Sequence, residues 1–134
     1  MGKYQKQGPG DGEGMLVQEG HVVYDLRERT FNFARRTLEI AGMLPVNPTC
    51  NVLRVQYIKA GTSVGANVEE ADGALTRPDF RNRMVIARKE AREAKYWLRL
   101  ISGKYIREDL IASDIQEISE LIKIISAIVS KVKI

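Results

Sequence analysis

The C-terminal third of the chain constrains the fold more than any other stretch. Ile115, Ile118, Ile122, Ile125, Val129 and Val132 recur at steps of three and four, the spacing that gathers side chains on one face of an α-helix into a heptad seam. Leu121, Ile124 and Ile128 form a second stripe beside the first. A strand turns over at every residue and would scatter these positions across both faces. The segment is therefore expected to be a helix with a wide apolar face, which needs other elements to cover it. The width leaves two readings open: a thick core within one chain, or a surface shared between subunits.

Three earlier segments carry the same period. A first helix is expected after Asp25 as N-cap, with Leu26, Thr30, Phe33, Ala34, Leu38 and Ala41 on its inner stripe and Pro45 and Pro48 ending it. A second, over residues 49–73, turns Leu53, Tyr57, Ala60, Gly61, Val64, Val68 and Ala71 to one side. A third spans residues 77–102. Thr76 and Asp79 resemble a capping box at its start, Pro78 sits where an early proline is tolerated, and Gly103 stops it. The fourth is expected to start at Ser113, with Gln116 completing another box. No segment has a strand period. Four helices with short connections predict an all-α, antiparallel, up-down-up-down four-helix bundle. It occupies residues 21–134, and residues 1–20, with six glycines, read as a flexible Gly-rich tail.

Several function classes fall away. At 134 residues the chain suits one domain. Its single cysteine, Cys50, allows no intrachain disulfide, which suits a reducing cytoplasm. The first twenty residues hold no signal-peptide core. Residues 110–134, though apolar, are interrupted by Asp114, Glu117, Glu120 and Lys123, so no membrane span is expected. The one histidine, His21, falls in the tail, so neither Cys50 nor Ser63 has a base to activate it. Asn67, Glu69, Glu70, Glu90 and Glu93 form an acidic group, but di-metal bundles need Glu-x-x-His motifs. Ion pairs with Arg88, Arg92 or a neighbouring subunit are the expected use of these acids. No catalytic, cofactor-binding or metal-binding residue is assigned, and an enzyme is not expected. Gly61 and Gly65, a small-xxx-small pair in mid-helix, predict a close approach by another helix, because each glycine costs its own helix about 1 kcal/mol relative to alanine.

The third helix carries the one pattern that points to a ligand. Residues 77–107 hold ten Lys or Arg against three acids, a net of +7 in a chain whose total is +4. At 100° per residue, Arg77, Arg81, Arg88, Arg92, Lys95 and Arg99 fall in a strip about 60° wide and about 33 Å long by the 1.5 Å rise. Phe80, Ala87, Ala91, Ala94 and Leu98 face the core, and Ile86, Trp97 and Leu100 make a further apolar patch. Aligned like charges repel, so something offsets them. Acids of a neighbouring helix or subunit would do so, and so would the phosphates of RNA or DNA. The six cations are the candidate nucleic-acid-binding residues.

Two runs of the second and third helices carry a resemblance. Residues 60–71, AGTSVGANVEEA, then Asp79-Phe80, then residues 87–100, ARKEAREAKYWLRL, resemble a four-helix-bundle family encoded in intervening sequences of bacterial 23S ribosomal RNA genes. Residues 24–31, YDLRERTF, are similar to that family's start. The resemblance covers residues 23–130. It implies a cytoplasmic homopentameric ring of four-helix bundles with no established activity. A distant similarity extends to the accessory protein of diversity-generating retroelements, a basic pentamer that partners a reverse transcriptase and binds nucleic acid, although its strongly basic tail is missing here. The expectation is a non-enzymatic homo-oligomer acting as a scaffold or interaction protein. The alternative adds sequence-nonspecific RNA or DNA binding through the basic strip.

Overall fold

The computed structural model describes residues 12–133, with side chains from Asp25 onward. Four helices follow in order: α1 (Gly12–Met43), α2 (Pro48–Asp72), α3 (Arg77–Ile101) and α4 (Glu108–Lys131). Among the described residues there is no strand; Ser102 and Ile106 make one isolated bridge inside the α3–α4 turn. Each helix packs on its neighbours in sequence, α4 also meets α1, and the backbones of the two diagonal pairs stay apart. One continuous core results, filled by Leu26, Phe33, Ile40, Tyr57, Met84, Leu98, Ile118 and Ile125 among others.

Local chemistry explains most of the ends. The Asn47 side chain accepts the Cys50 amide at 2.8 Å and Pro48 opens the first turn of α2. Thr76 accepts the Asp79 amide at 3.1 Å, with Pro78 early in α3, as the sequence indicated. Gly103 takes φ 79° just past α3, where a side chain would be strained. Two expected starts are corrected. α1 begins at Gly12, so Asp25 lies thirteen residues inside the helix and does not cap it; no proline intervenes to stop the helix continuing back. α4 begins at Glu108, so Ser113 and Gln116 are interior and the proposed box does not exist. Residues 1–11 of the expected tail, and the side chain of His21, lie outside the described residues.

The α1–α2 contact explains the two glycines. A Cβ placed on Gly61 would stand 2.6 Å from Thr37 Cγ2 and 3.0 Å from Thr37 Cβ, and would strike its hydroxyl as well. One placed on Gly65 would stand 3.2 Å from the Thr30 carbonyl oxygen. Thr30 and Thr37 are fully buried, and their hydroxyls donate to the carbonyls of Leu26 (2.8 Å) and Phe33 (2.9 Å) on their own helix. The inner line of α1 thus runs through Leu26, Thr30, Phe33, Thr37 and Ile40. Leu38, expected on that line, is 56% exposed instead.

Arg54 of α2 closes the other end of this pair. Its Nε donates to the Ala41 carbonyl at 3.1 Å, and its Nη2 donates to those of Leu44 (2.9 Å) and Pro45 (3.0 Å). A guanidinium is thereby set against the negative end of α1. The α1–α4 seam is held differently, by arginine–carboxylate pairs. Arg36 meets both oxygens of the buried Asp114, at 3.0 and 3.2 Å, and also donates to the Leu110 carbonyl. Arg29 grips Glu117 at 2.7 and 3.0 Å and reaches Glu120 at 2.9 Å. Such two-pronged pairs fix geometry as well as charge.

Candidate nucleic-acid interface

α3 is one unbroken helix from Arg77 to Ile101, so the angular relation among its six cations is kept. Its core line is Met84, Ala87, Ala91, Ala94, Leu98 and Ile101, all buried. On the flank toward α2, Arg83 reaches the Asn67 side chain at 3.4 Å. The cationic strip lies on the opposite flank, toward α4.

The structure divides the strip in two. Arg81 Nε donates to the Val129 carbonyl at 3.3 Å, and Arg77 Nη1 to the Lys133 carbonyl at 3.4 Å. Arg81 therefore serves one of the last carbonyls of α4, which have no helical partners and sit at the negative end of the dipole, and Arg77 ties down the chain just past the helix end. Arg88, Arg92, Lys95 and Arg99 follow along the next stretch of α3, with Arg92 and Arg99 exposed and Arg88 and Lys95 half-buried. No ion pair among the described residues involves any of these four.

The acids that were expected to neutralise them are occupied elsewhere or face another way. Glu69 pairs with Arg27 of α1 at 3.0 Å, and Glu93 accepts the Trp97 indole N–H at 3.4 Å on the far side of α3. The contrast with α1 is direct. There Arg27, Arg29 and Arg36 each meet carboxylates on a neighbouring helix, and Glu120 is held below the ordinary carboxylate range, first by the Gln116 amide at 3.1 Å and then by Arg29. Among the described residues, charge is matched where α1 meets α2 and α4, and the middle of α3 is left unmatched.

One exposed side chain beside this row was not singled out from the sequence. Tyr96 is 54% exposed, one turn after Arg92 and one turn before Leu100. The signal was present: an aromatic residue four positions after one arginine and three before another. The apolar patch noted on α3 is split: Trp97 packs against the core, Ile86 is half-buried and Leu100 stays exposed.

The rest of the surface adds little chemistry. Cys50 is fully buried. Among the described residues no three His, Cys, Asp or Glu side chains come together as a metal site would require, and no helix is long and apolar enough to cross a membrane. A groove of about 180 Å³ lies between the outer faces of α1 and α2, lined by Phe31, Ala34, Thr62 and Ala66, with Arg27 and Glu69 at its rim.

These features define an all-α, four-helix protein with a row of unmatched cations on one helix. The chain belongs to the 23S rRNA-intervening sequence protein family, whose pattern it matches over residues 24–127. It is also similar to a crystal structure from Bacteroides thetaiotaomicron described as a protein with unknown function from the S23 ribosomal protein family. The two share 32% identity over 82% of this chain and 99% of that one, with a TM-score of 0.75. No curated protein matches the chain.

Proposed function

We propose that this chain is a non-enzymatic, cytoplasmic, homo-oligomeric scaffold whose α3 row binds RNA or DNA without reading sequence. The observation that carries the binding is the stretch Arg88, Arg92, Lys95 and Arg99: four cations along about 17 Å of one helix, by the 1.5 Å rise, without an acidic partner among the described residues. Lining up like charges is unfavourable unless an anion offsets it, and a phosphate backbone supplies anions at matching intervals with release of condensed counterions. Among the described residues no element presents a groove-reading motif, so contacts to phosphate are the expected mode.

The assembly part of the reading rests on three supports. Connections of four, four and six residues, with consecutive helices packed together and α4 against α1, favour an antiparallel up-down-up-down bundle. The family resemblance implies a pentameric ring. The chain also keeps large apolar side chains on the outside of α1 and α2, with Phe31 57%, Leu38 56% and Val55 62% exposed, and a second copy of the same chain is the occupant proposed for that face. A ring would repeat the α3 row around its axis and multiply weak single contacts.

Two measurements test this. Light scattering on the full chain should give a mass near five protomers, and a monomer at micromolar concentration would refute the ring. Binding to a labelled ribosomal RNA fragment should weaken about fifty-fold between 50 and 200 mM salt if four phosphates of a single strand are neutralised per site. Affinity that does not respond to salt would remove the phosphate-binding reading.

A further inference from the structure

The nucleic-acid reading leaves open which form of the polymer the row accepts, and Tyr96 bears on that. Its ring stands edge-to-face with Trp97, centroids 5.2 Å apart and planes at 72°. Trp97 is itself packed against the core and donates its indole N–H to Glu93 at 3.4 Å, so Tyr96 leans on a side chain that is fixed in place. At 100° per residue Tyr96 projects about 40° from Arg92 and about 60° from Arg99, one turn before it and one turn after it. An aromatic ring more than half exposed, braced from beneath and flanked by unmatched guanidinium groups, is the combination that single strands use: bases stack on the ring while cations hold the backbone. A duplex keeps its base faces inside its own stack and would leave the ring unused.

Resting on the proposed nucleic-acid role of the α3 row, we infer that its ligand is single-stranded nucleic acid, with a base stacked on Tyr96 between phosphates held by Arg92 and Arg99. The stacking tolerates any base, because every base offers a π-face, and this agrees with an interface that has no hydrogen-bonding reader. Tyr96 also takes little part in the core, so it can be changed without removing the helix that carries it.

The test uses the full chain with a 20-nucleotide uridine RNA and a 20-base-pair RNA duplex. The wild type is expected to bind the single strand at least tenfold more tightly than the duplex at equal salt. Tyr96→Ala should weaken single-strand binding about tenfold, in line with the loss of one stacked base, and leave duplex binding and the salt slope as they were. Tyr96→Phe keeps the ring and should bind as the wild type does. The chain has one tryptophan, so emission excited on the red side of tyrosine absorption reports from Trp97 alone, next to the proposed stack, and should change on adding the uridine RNA but not the duplex. Equal binding of both probes, or a Tyr96→Ala variant as tight as the wild type, overturns the inference while leaving the phosphate-binding row intact. Failure of the wild type to bind either probe overturns both.

Discussion

Gly61→Ala is expected to destabilise the protein by about 2 kcal/mol, although alanine is the better helix former by about 1 kcal/mol. The propensity gain is local to α2, whereas the added methyl enters a space already held by Thr37 of α1. That threonine cannot retreat easily. It is fully buried, branched at Cβ, and its hydroxyl donates to the Phe33 carbonyl at 2.9 Å. Either the threonine leaves its rotamer and its hydrogen bond, or α1 and α2 move apart along their contact. Urea unfolding at fixed protein concentration reads the loss as a lower midpoint with an unchanged slope. Adding Thr37→Ala should recover only part of it, because the 3.0 Å approach to Thr37 Cβ persists. Gly42→Ala is the control. A Cβ there meets nothing within 4 Å, so that change should be neutral or stabilising by up to about 1 kcal/mol. A Gly61→Ala protein as stable as the wild type would show that the helices do not depend on this close approach.

The same pair of helices shows what the sequence can and cannot disclose. The glycines were legible as a close-packing signal because their cost to α2 is local and visible in one chain segment. Their partner was not. Thr30 and Thr37 are polar by type, and only the satisfaction of their hydroxyls by carbonyls four residues earlier makes them core residues. Leu38 was misplaced for the converse reason: it fits the apolar spacing, yet the threonine line turns toward α2 and leaves Leu38 outside. Thr76 and Gly103 were readable because a cap and a positive-φ turn are matters of a few adjacent residues. Asp25 and Ser113 misled because residues that favour caps also occur within helices, and nothing local tells the two uses apart. For the candidate interface, the angular alignment of the six α3 cations could be read from 100° per residue alone. That Arg77 and Arg81 serve the end of α4 could not, since it depends on where a helix some fifty residues later in the chain comes to rest.

This division of the cationic strip leads to the largest expected effect on binding. Reversing Arg88, Arg92 and Arg99 together to glutamate changes the charge of each protomer by six units at the place where the row has no acidic partner among the described residues. Three attractive contacts become three repulsive ones, so affinity for RNA should fall by a hundredfold or more at 50 mM salt, and the residual binding should lose most of its salt dependence. The fold should survive. Arg92 and Arg99 are exposed, none of the three makes an ion pair among the described residues, and the core line of α3 is untouched. Arg77→Met with Arg81→Met is the opposite case. Those side chains hold carbonyls at the end of α4 and just beyond it, so their loss should lower the unfolding midpoint by an amount corresponding to about 1–2 kcal/mol and weaken RNA binding far less. Fluorescence anisotropy with labelled RNA and urea unfolding on the same samples separate the two. If the triple reversal left affinity unchanged, or if the methionine pair cost as much binding as the triple, the phosphate contacts would not lie where α3 leaves its charge unmatched.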